Sequence, residues 1–219
     1  MKHIEVVQGS PEWFQARLGK VTASRVADVM TRTKTGWGAS RKNYMAELVA
    51  EQLTGQPAES YQNAAMKWGL DTEPAARAAY EFFRDAEVQQ VGFIEHPTIE
   101  MAGASPDGLV GLDGMVEIKC PATATHIETL LGGAIESKYR AQMLFQMACA
   151  DREWCDFVSF DPRMPAELQL HVQRVHRNTV LISEMELEVG TFLIELTTTV
   201  DRLLELRSKA EPPSILAAG

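Results

Sequence analysis

A short hairpin pattern in the middle of the chain constrains the fold most strongly. Residues 105–110 (SPDGLV) and 115–121 (MVEIKCP) are apolar segments joined by a Gly-Leu-Asp-Gly connection, whose residues tolerate positive φ. Because side chains alternate between the faces of a strand, Glu117 and Lys119 point the same way. The reversal folds Asp107 back towards Glu117. The sequence therefore predicts two carboxylates and one ammonium group at one point of a buried segment.

Two like charges that lie close together are unfavourable unless a cation lies between them. Mg²⁺ prefers carboxylate oxygens, takes one or two of them, and keeps positions for water and phosphate oxygens. Lys119 could then orient an attacking water or stabilise charge on a phosphate. The same spacing also fits an ion pair between Glu117 and Lys119 at a strand end, with Asp107 as a turn residue. Spacing alone leaves both interpretations open.

The residues of this hairpin resemble a known signature. Pro106-Asp107 followed by Glu117-Ile118-Lys119 is similar to the PD-(D/E)XK nuclease pattern, and the flanking SPDGL and EIKCP resemble the lambda exonuclease (YqaJ-like viral recombinase) family. Other short motifs occur in the family's order and extend the resemblance from Trp13 to Met164. They are WFQARLGKVTAS at 13–24, WGLDTE at 68–73, a Gln after Tyr-x-Ala at 139–142, and DPRM at 161–164.

The resemblance implies a metal-dependent active site. Asp107, Glu117 and the carbonyl of Ile118 would bind one Mg²⁺, for which Mn²⁺ can substitute. Lys119 would position the attacking water or stabilise the charge on the phosphate. Glu73, which matches the acid of the family's W-G-x-x-x-E, would help to bind a second cation, so that both reacting oxygens are clamped. The competing interpretation of Glu73 is a helix-surface acid balanced by a basic residue, Arg77, four positions later.

The N-terminal motif implies a pocket for a terminal 5′-phosphate, formed by Arg17 and Ser24 with Thr22 beside it. Guanidinium groups match phosphate oxygens, and a helix N-terminus offers free N–H groups. Alternatively, Thr22 or Ser24 only caps a helix and Arg17 is a surface charge. Gln142 matches a family residue near the pocket and the catalytic centre, although a helix-packing hydrogen bond explains a buried Gln equally well.

The net charge of −9 is unfavourable for a protein that binds DNA, because affinity for DNA comes mainly from Lys and Arg. The charge is uneven, however. Residues 25–42 contain five basic residues and one acid, whereas residues 184–205 are strongly acidic. The polar segment 31–40 is predicted to be a loop with Trp37 exposed. It fits either a DNA contact through its aromatic ring or a solvated connector.

Composition and periodicity predict a single α/β domain over residues 1–219, with 45% hydrophobic residues and no apolar run of membrane-spanning length. The N-terminus lacks a signal-like apolar region, and the three cysteines show no metal-type spacing, so we expect a cytoplasmic protein with reduced thiols. Predicted helices lie at 10–18, 43–53, 64–84, 123–131, 137–150 and 180–207, and predicted strands at 88–94, 99–103, 153–160 and 168–175.

This order suggests a central mixed β-sheet flanked by α-helices. The resemblance implies a restriction-endonuclease-like core at about 64–176. N-terminal helices within 10–54 and a C-terminal helix at 178–207 would pack on it. A mobile tail is expected from residue 211 onwards.

The function implied by the resemblance is a Mg²⁺-dependent 5′→3′ exonuclease on double-stranded DNA. It would release mononucleotides and leave 3′ overhangs for phage-type recombination by single-strand annealing. The family also implies a ring-shaped homotrimer around DNA and an annealing protein as partner. A PD-(D/E)XK endonuclease or repair nuclease is the alternative enzyme. A catalytically silent DNA-binding module is a further alternative, against which the intact Asp107, Glu117 and Lys119 argue.

Overall fold

The structure is a computed structural model that describes residues 2–57 and 64–209 of the chain. Two short 3₁₀ turns, Ala23–Arg25 and Ala166–Leu168, accompany its helices and strands. In chain order the elements are β1 (Lys2–Ile4), α1 (Pro11–Arg17), β2 (Val21–Thr22), α2 (Val26–Val29), β3 (Arg32–Thr33), β4 (Gly36–Trp37), α3 (Ala39–Thr54), α4 (Ala64–Arg84), β5 (Val88–Gln89), β6 (Phe93–Glu95), β7 (Ala102–Ala104), β8 (Gly108–Val110), β9 (Gly114–Lys119), α5 (Thr123–Leu130), α6 (Ser137–Ala150), β10 (Trp154–Phe160), β11 (Leu170–His176) and α7 (Thr179–Lys209).

The central sheet is mixed and has the strand order β11-β10-β9-β8-β5. Strands β9 and β10 are parallel, and the other neighbours are antiparallel. The β8–β9 register pairs Gly108 with Val116, so one further step brings Asp107 opposite Glu117. A second sheet has the order β1-β6-β7-β2, and β3 pairs with β4 in a separate hairpin. The predicted reversal that returns Asp107 towards Glu117 is confirmed.

Helices cover both faces of the central sheet. On one face, Tyr80 of α4 packs in a cluster with Val116 and Ile118 of β9. On the other face, Met115 of β9 packs in the main core with Met143 of α6, and residues of α2, α3 and α7 complete this core. Alternation along β9 therefore buries apolar side chains on both faces, as expected for a sheet between two helical layers. The predicted mixed sheet flanked by helices is confirmed.

Capping residues fix several helix ends. Ser10 accepts a hydrogen bond from the Trp13 N–H at 3.2 Å, and Pro11 occupies the first helical position of α1. The long helix α7 begins after Asn178, whose Oδ1 accepts from the Leu181 N–H at 3.0 Å. Gly55 ends α3 with φ +69°. Local sequence thus determines where these helices start and stop.

The prediction of a single strand over residues 88–94 is wrong. The segment forms β5 in the central sheet and β6 in the second sheet, with a break at Gly92. A Cβ on Gly92 would lie only 2.3 Å from the carbonyl oxygen of Val6 and 2.7 Å from that of Ile4. Glycine therefore lets the N-terminal strand pass close by, and the chain changes sheets at this point.

The segment between α2 and α3 also differs from expectation, because it is the β3–β4 hairpin and Trp37 is half-buried. The Trp37 ring lies between the guanidinium groups of Arg32 and Arg41, at 4.0 and 3.9 Å from its centroid. Arg32 pairs with Glu188 and Arg41 with Glu195, both on α7. Two arginines of this region are thus paired with acids of α7. The prediction of an exposed Trp37 is wrong.

Three further features of the chain bear on the sequence predictions. None of the helices in the two described ranges has an apolar stretch long enough to cross a bilayer. All three cysteines, Cys120, Cys149 and Cys155, carry free thiols. The tail predicted from residue 211 lies outside the described residues, and the single-domain assignment stays a prediction.

Candidate active site

The first component of the site is the contact between the start of β8 and the end of β9. The Ile118 N–H donates to Asp107 Oδ2 at 2.6 Å. Since the N–H and C=O of one strand residue face the same edge, the Ile118 carbonyl also faces the β8 side. The residue opposite it is Pro106, which has no N–H to donate. The hairpin therefore directs a carbonyl oxygen to the side on which Asp107 lies, without a donor from the neighbouring strand.

Glu117 is the second component, and it is almost completely buried, with 1% of its surface exposed. Its Oε1 accepts from Gln142 Nε2 at 2.7 Å and lies 2.5 Å from Lys119 Nζ. Its Oε2 accepts from Gln146 Nε2 at 2.7 Å. A buried carboxylate needs such partners, because unpaired charge in the interior is very costly. Two glutamines one turn apart on α6 thus hold the carboxylate by hydrogen bonds to both of its oxygens.

The charges at this point shift one another's pKa values. Burial disfavours the charged form of Lys119, but the carboxylates of Glu117 and Asp107 outweigh burial and raise its pKa. Lys119 also lies 4.8 Å from the centre of the Tyr139 ring. Burial and the Glu117 charge raise the pKa of Asp107 well above its usual value. In the metal-free protein Lys119 is therefore cationic at neutral pH, and a cation bound beside Asp107 would favour the ionised form of its carboxyl group.

Glu73 reaches the same region from α4, on the other face of the sheet. It is half-buried and forms an ion pair with Arg77 four residues later. Burial raises the pKa of Glu73, the charge of Arg77 opposes this, and the charge of Glu117 adds to it. The helix-surface ion pair considered from the sequence is therefore present, and Glu73 is also close enough to sense the buried carboxylate.

Several oxygen atoms at this strand end are suitable ligands for a divalent cation. Within residues 2–57 and 64–209, no three Asp, Glu, His or Cys side chains are grouped as a ready-made metal cluster. The oxygen donors at the strand end are the carboxylates of Asp107 and Glu117 and the carbonyl of Ile118. Such a set suits Mg²⁺ or Mn²⁺ and leaves positions for water and phosphate. The residues present fit one such ion, whereas Glu73 is engaged by Arg77.

Arg17 and two partners form one wall beside this centre. The Arg17 guanidinium lies 4.0 Å from the centre of the Trp13 ring, and its Nη1 donates to Ser105 Oγ at 3.3 Å. Trp13 Nε1 donates to the same hydroxyl at 2.9 Å. Burial lowers the pKa of Arg17 to about 10, so the group stays charged at neutral pH. Ser105 was missed as a site residue, although it precedes Asp107 by only two positions in the SPDGL motif.

Thr22 and Ser24 lie on the same wall. Their hydroxyl oxygens are 3.2 Å apart, and the Thr22 N–H donates to the Tyr44 hydroxyl at 3.1 Å. Thr22 stands at the cap position of the Ala23–Arg25 turn, but its side chain makes no capping hydrogen bond. Its hydroxyl therefore faces Ser24 instead of serving the helix-cap role considered from the sequence.

A cleft of about 1720 Å³ connects these groups. Asp107, Lys119 and Glu73 line it together with Arg17, Thr22 and Ser24, whereas Glu117 and Gln142 lie behind the lining. The volume exceeds the few hundred to 1,000 Å³ that is usual for a small-molecule pocket. Among the described lining residues there are seven Lys or Arg and four Asp or Glu. Basic side chains thus outnumber acidic ones in the lining of a chain of net charge −9, although Glu95, Glu117 and Asp161 behind the lining pair with Lys20, Lys119 and Arg163.

Comparisons with known proteins agree with this geometry. Residues 12–153 match the YqaJ-like viral recombinase domain. Two crystal structures of LHK-Exo, an alkaline exonuclease from Laribacter hongkongensis, are 53% and 52% identical to the chain. Both have TM-scores of 0.85 and cover 91% of this chain and 99% of theirs, and the first is a complex with dAMP. No match was found among curated proteins.

A more distant structure shows the same fold. A phage-related exonuclease from Haemophilus somnus 129PT is 15% identical, with a TM-score of 0.65 over 84% of this chain and 96% of that one. These neighbours have the restriction-endonuclease-like fold, so the predicted fold class is confirmed. Because the family match spans most of the chain and LHK-Exo exceeds half identity, the chain belongs to the YqaJ-like viral recombinase family.

Proposed function

We propose that the protein is a Mg²⁺-dependent 5′→3′ exonuclease that digests one strand of linear double-stranded DNA to mononucleotides. It leaves 3′ overhangs for phage-type recombination by single-strand annealing. The observation that carries this proposal is the meeting of Asp107, Glu117 and Lys119 at a cleft whose wall holds Arg17. The similarity to an alkaline exonuclease crystallised with dAMP, a mononucleotide, supports the same class of reaction.

Asp107, Glu117 and the Ile118 carbonyl would hold the cation. Glu73 would help to hold a second one, for which its ion pair with Arg77 would have to open. Bound Mg²⁺, or Mn²⁺ in its place, supplies Lewis-acid stabilisation of the phosphate and lowers the pKa of water. In the metal-free protein the carboxylates of Glu117 and Asp107 raise the pKa of Lys119 and keep its ammonium group charged. Its ammonium group donates to the attacking water or to a phosphate oxygen, where it stabilises the charge that develops.

Selection of the 5′ end is assigned to the wall formed by Arg17, Thr22 and Ser24. Arg17 is held by Trp13 and Ser105, so its guanidinium is oriented before substrate binds. Ser105 precedes Asp107 by two residues, which places their Cα atoms at most roughly 7 Å apart. This is similar to the spacing of neighbouring phosphates in one strand. A terminal phosphate at Arg17 would therefore place the next phosphate at the cation site, which accounts for single-nucleotide products.

Assembly and partners follow from the family and are part of the proposal. The chain would form a homotrimeric ring around DNA and act with a single-strand annealing protein. A closed ring would retain DNA topologically, which a chain of net charge −9 cannot do by surface charge alone. The substrate would be a double-stranded end with a 5′-phosphate.

The test is product analysis on linear duplexes labelled at either end, with 5′-phosphate or 5′-hydroxyl, in Mg²⁺ and in EDTA. We expect mononucleotides from the 5′-phosphorylated strand in Mg²⁺ only, slower digestion of the hydroxyl end, and an intact covalently closed circle. Cleavage of the circle would identify an endonuclease instead. Binding of the duplex without any cleavage in Mg²⁺ or Mn²⁺ would identify a silent DNA-binding module.

A further inference from the structure

The cleft contains a second arginine–tryptophan pair that the proposed mechanism does not use. Arg163, in the DPRM turn after β10, has its guanidinium carbon 4.5 Å from the centre of the Trp68 ring on α4. Both residues line the cleft. The arrangement repeats that of Arg17 on Trp13, at 4.0 Å. Two guanidinium groups are therefore presented to one cleft on flat aromatic supports.

The two pairs lie on opposite sides of the catalytic centre. Arg17 donates to Ser105, which leads into β8, whereas Arg163 is held by Asp161, which directly follows β10. Strand β9, which carries Lys119, lies between β8 and β10. Neighbouring strands are about 4.8 Å apart, so the strand ends at β8 and β10 from which the two arginines are held are separated by roughly 10 Å.

The Arg163 guanidinium is fixed before any ligand binds. Its Nε donates to Asp161 Oδ1 at 2.7 Å, and its Nη2 donates to Asp161 Oδ2 at 2.9 Å and to the Pro121 carbonyl at 3.2 Å. The Thr123 hydroxyl in turn donates to Asp161 Oδ2 at 2.7 Å. Among the described residues, Nη1 of Arg163 has no hydrogen-bond partner, and 47% of the side chain is exposed. An oriented guanidinium with a free N–H group is suited to a phosphate oxygen.

We propose that Arg163, supported by Trp68, binds the phosphate that follows the scissile one, between the second and third nucleotides of the digested strand. This inference rests on the proposed function. With the terminal phosphate at Arg17 and the scissile phosphate at Lys119, the strand continues across β9 towards Arg163. The first and third phosphates of one strand are separated by about 7 Å along the duplex axis and by more in space. This separation is similar to that of the strand ends from which Arg17 and Arg163 are held.

A contact on each side of the cleaved bond has two consequences. It holds the scissile phosphate in line with the catalytic groups, because both neighbouring phosphates are fixed. The Arg163 contact also differs from the Arg17 contact in the part of the DNA that it binds. Arg17 binds the nucleotide that leaves, whereas Arg163 binds the strand that remains, so Arg163 keeps DNA in the cleft between successive cuts.

The test combines a change in the protein with a change at one phosphate. Binding of a 5′-phosphorylated duplex is measured by fluorescence anisotropy in Ca²⁺, with the second linkage either normal or a neutral methylphosphonate. For the wild-type protein we expect the neutral linkage to weaken binding about tenfold, and Arg163→Gln to weaken binding of the normal duplex equally. The two changes together should cause no further loss. The salt dependence of log Kd should fall by about one unit in Arg163→Gln and stay unchanged in Arg163→Lys.

A control variant and the following outcomes make the test decisive. Arg202→Gln, an exposed arginine of α7 outside the cleft, should bind as the wild type does. Multiplicative losses from the protein and DNA changes, or an unchanged Kd for Arg163→Gln, would overturn the assignment while the exonuclease stands. So would a lower Tm with equal weakening on both duplexes, since that is the signature of a purely structural arginine. A wild-type protein that binds no duplex would remove the proposed function together with this inference.

Discussion

Replacement of Gln146 by Met tests the buried support of the Glu117 carboxylate. Gln146 is fully buried, and its Nε2 donates to Glu117 Oε2 at 2.7 Å, whereas its own Oε1 has no partner in the described part of the chain. A hydrogen bond to a charged group contributes about 1.5–3 kcal/mol, and an unsatisfied buried polar atom costs about 1–3 kcal/mol. Met removes both and nearly conserves volume. Because the two effects oppose each other, the free energy of unfolding should change by no more than about 2 kcal/mol.

The effect on activity should be much larger than the effect on stability. Among described residues, Gln146 is the only donor to Oε2, whereas Oε1 has both Gln142 and Lys119. Gln146→Met therefore frees one oxygen of Glu117 completely. Loss of a residue that orients a metal ligand typically costs 10–100-fold in metal affinity or activity. Gln142→Met should cost less, because Lys119 remains on the other oxygen.

The assay measures the Mg²⁺ dependence of the initial digestion rate, with Tm followed by circular dichroism for each variant. For a chain of this size, a loss of 1 kcal/mol lowers Tm by about 2–4 °C. We expect half-saturation at a Mg²⁺ concentration at least tenfold higher in Gln146→Met, with partial recovery of the rate at high Mg²⁺. A half-saturation value equal to that of the wild type would refute the argument, as would a larger defect in Gln142→Met.

Three other predictions follow from the same geometry. Lys119→Ala should abolish digestion and leave the circular dichroism spectrum unchanged; a rate close to that of the wild type would exclude its catalytic role. Arg17→Ala should lose the preference for 5′-phosphate over 5′-hydroxyl ends, and an unchanged rate ratio would contradict the pocket. Burial and the Glu117 charge raise the pKa of Asp107, so the metal-free fold keeps this proton to higher pH than the unfolded chain and loses stability as pH rises through the raised pKa. Asp107→Asn should therefore raise the metal-free Tm at pH 8, and the gain should vanish below about pH 4; a gain independent of pH would argue against this origin.

The features that the sequence predicts correctly depend on local rules. Alternation along a strand and a glycine-containing reversal were enough to place Asp107 opposite Glu117 and to put Lys119 on the Glu117 face. Helix caps such as Ser10 also follow from residues within one turn. The bounds of α4 and α6 agree with the predicted 64–84 and 137–150, and both segments are rich in residues that favour helix, such as Ala, Met and Leu.

The features that were missed depend on contacts between distant segments. Trp37 is half-buried because Arg32 and Arg41 pair with acids of α7 about 155 residues later, which no local pattern reveals. Gln146 lies four residues after Gln142, and this spacing places both on one helix face. The spacing does not predict that both side chains contact Glu117. The stack of Arg163 on Trp68 joins residues from two separate motifs. None of these contacts follows from the local sequence, because each joins segments that only the tertiary fold brings together.

The central claim is that the end of the β8–β9 hairpin holds a divalent cation. The most direct measurement is anomalous diffraction from crystals of the wild-type protein soaked in Mn²⁺. The account predicts a peak at the carboxylates of Asp107 and Glu117 and the carbonyl of Ile118, and no peak there in Asp107→Ala. A wild-type map without a peak at these three groups, or with Mn²⁺ bound only elsewhere, would contradict it.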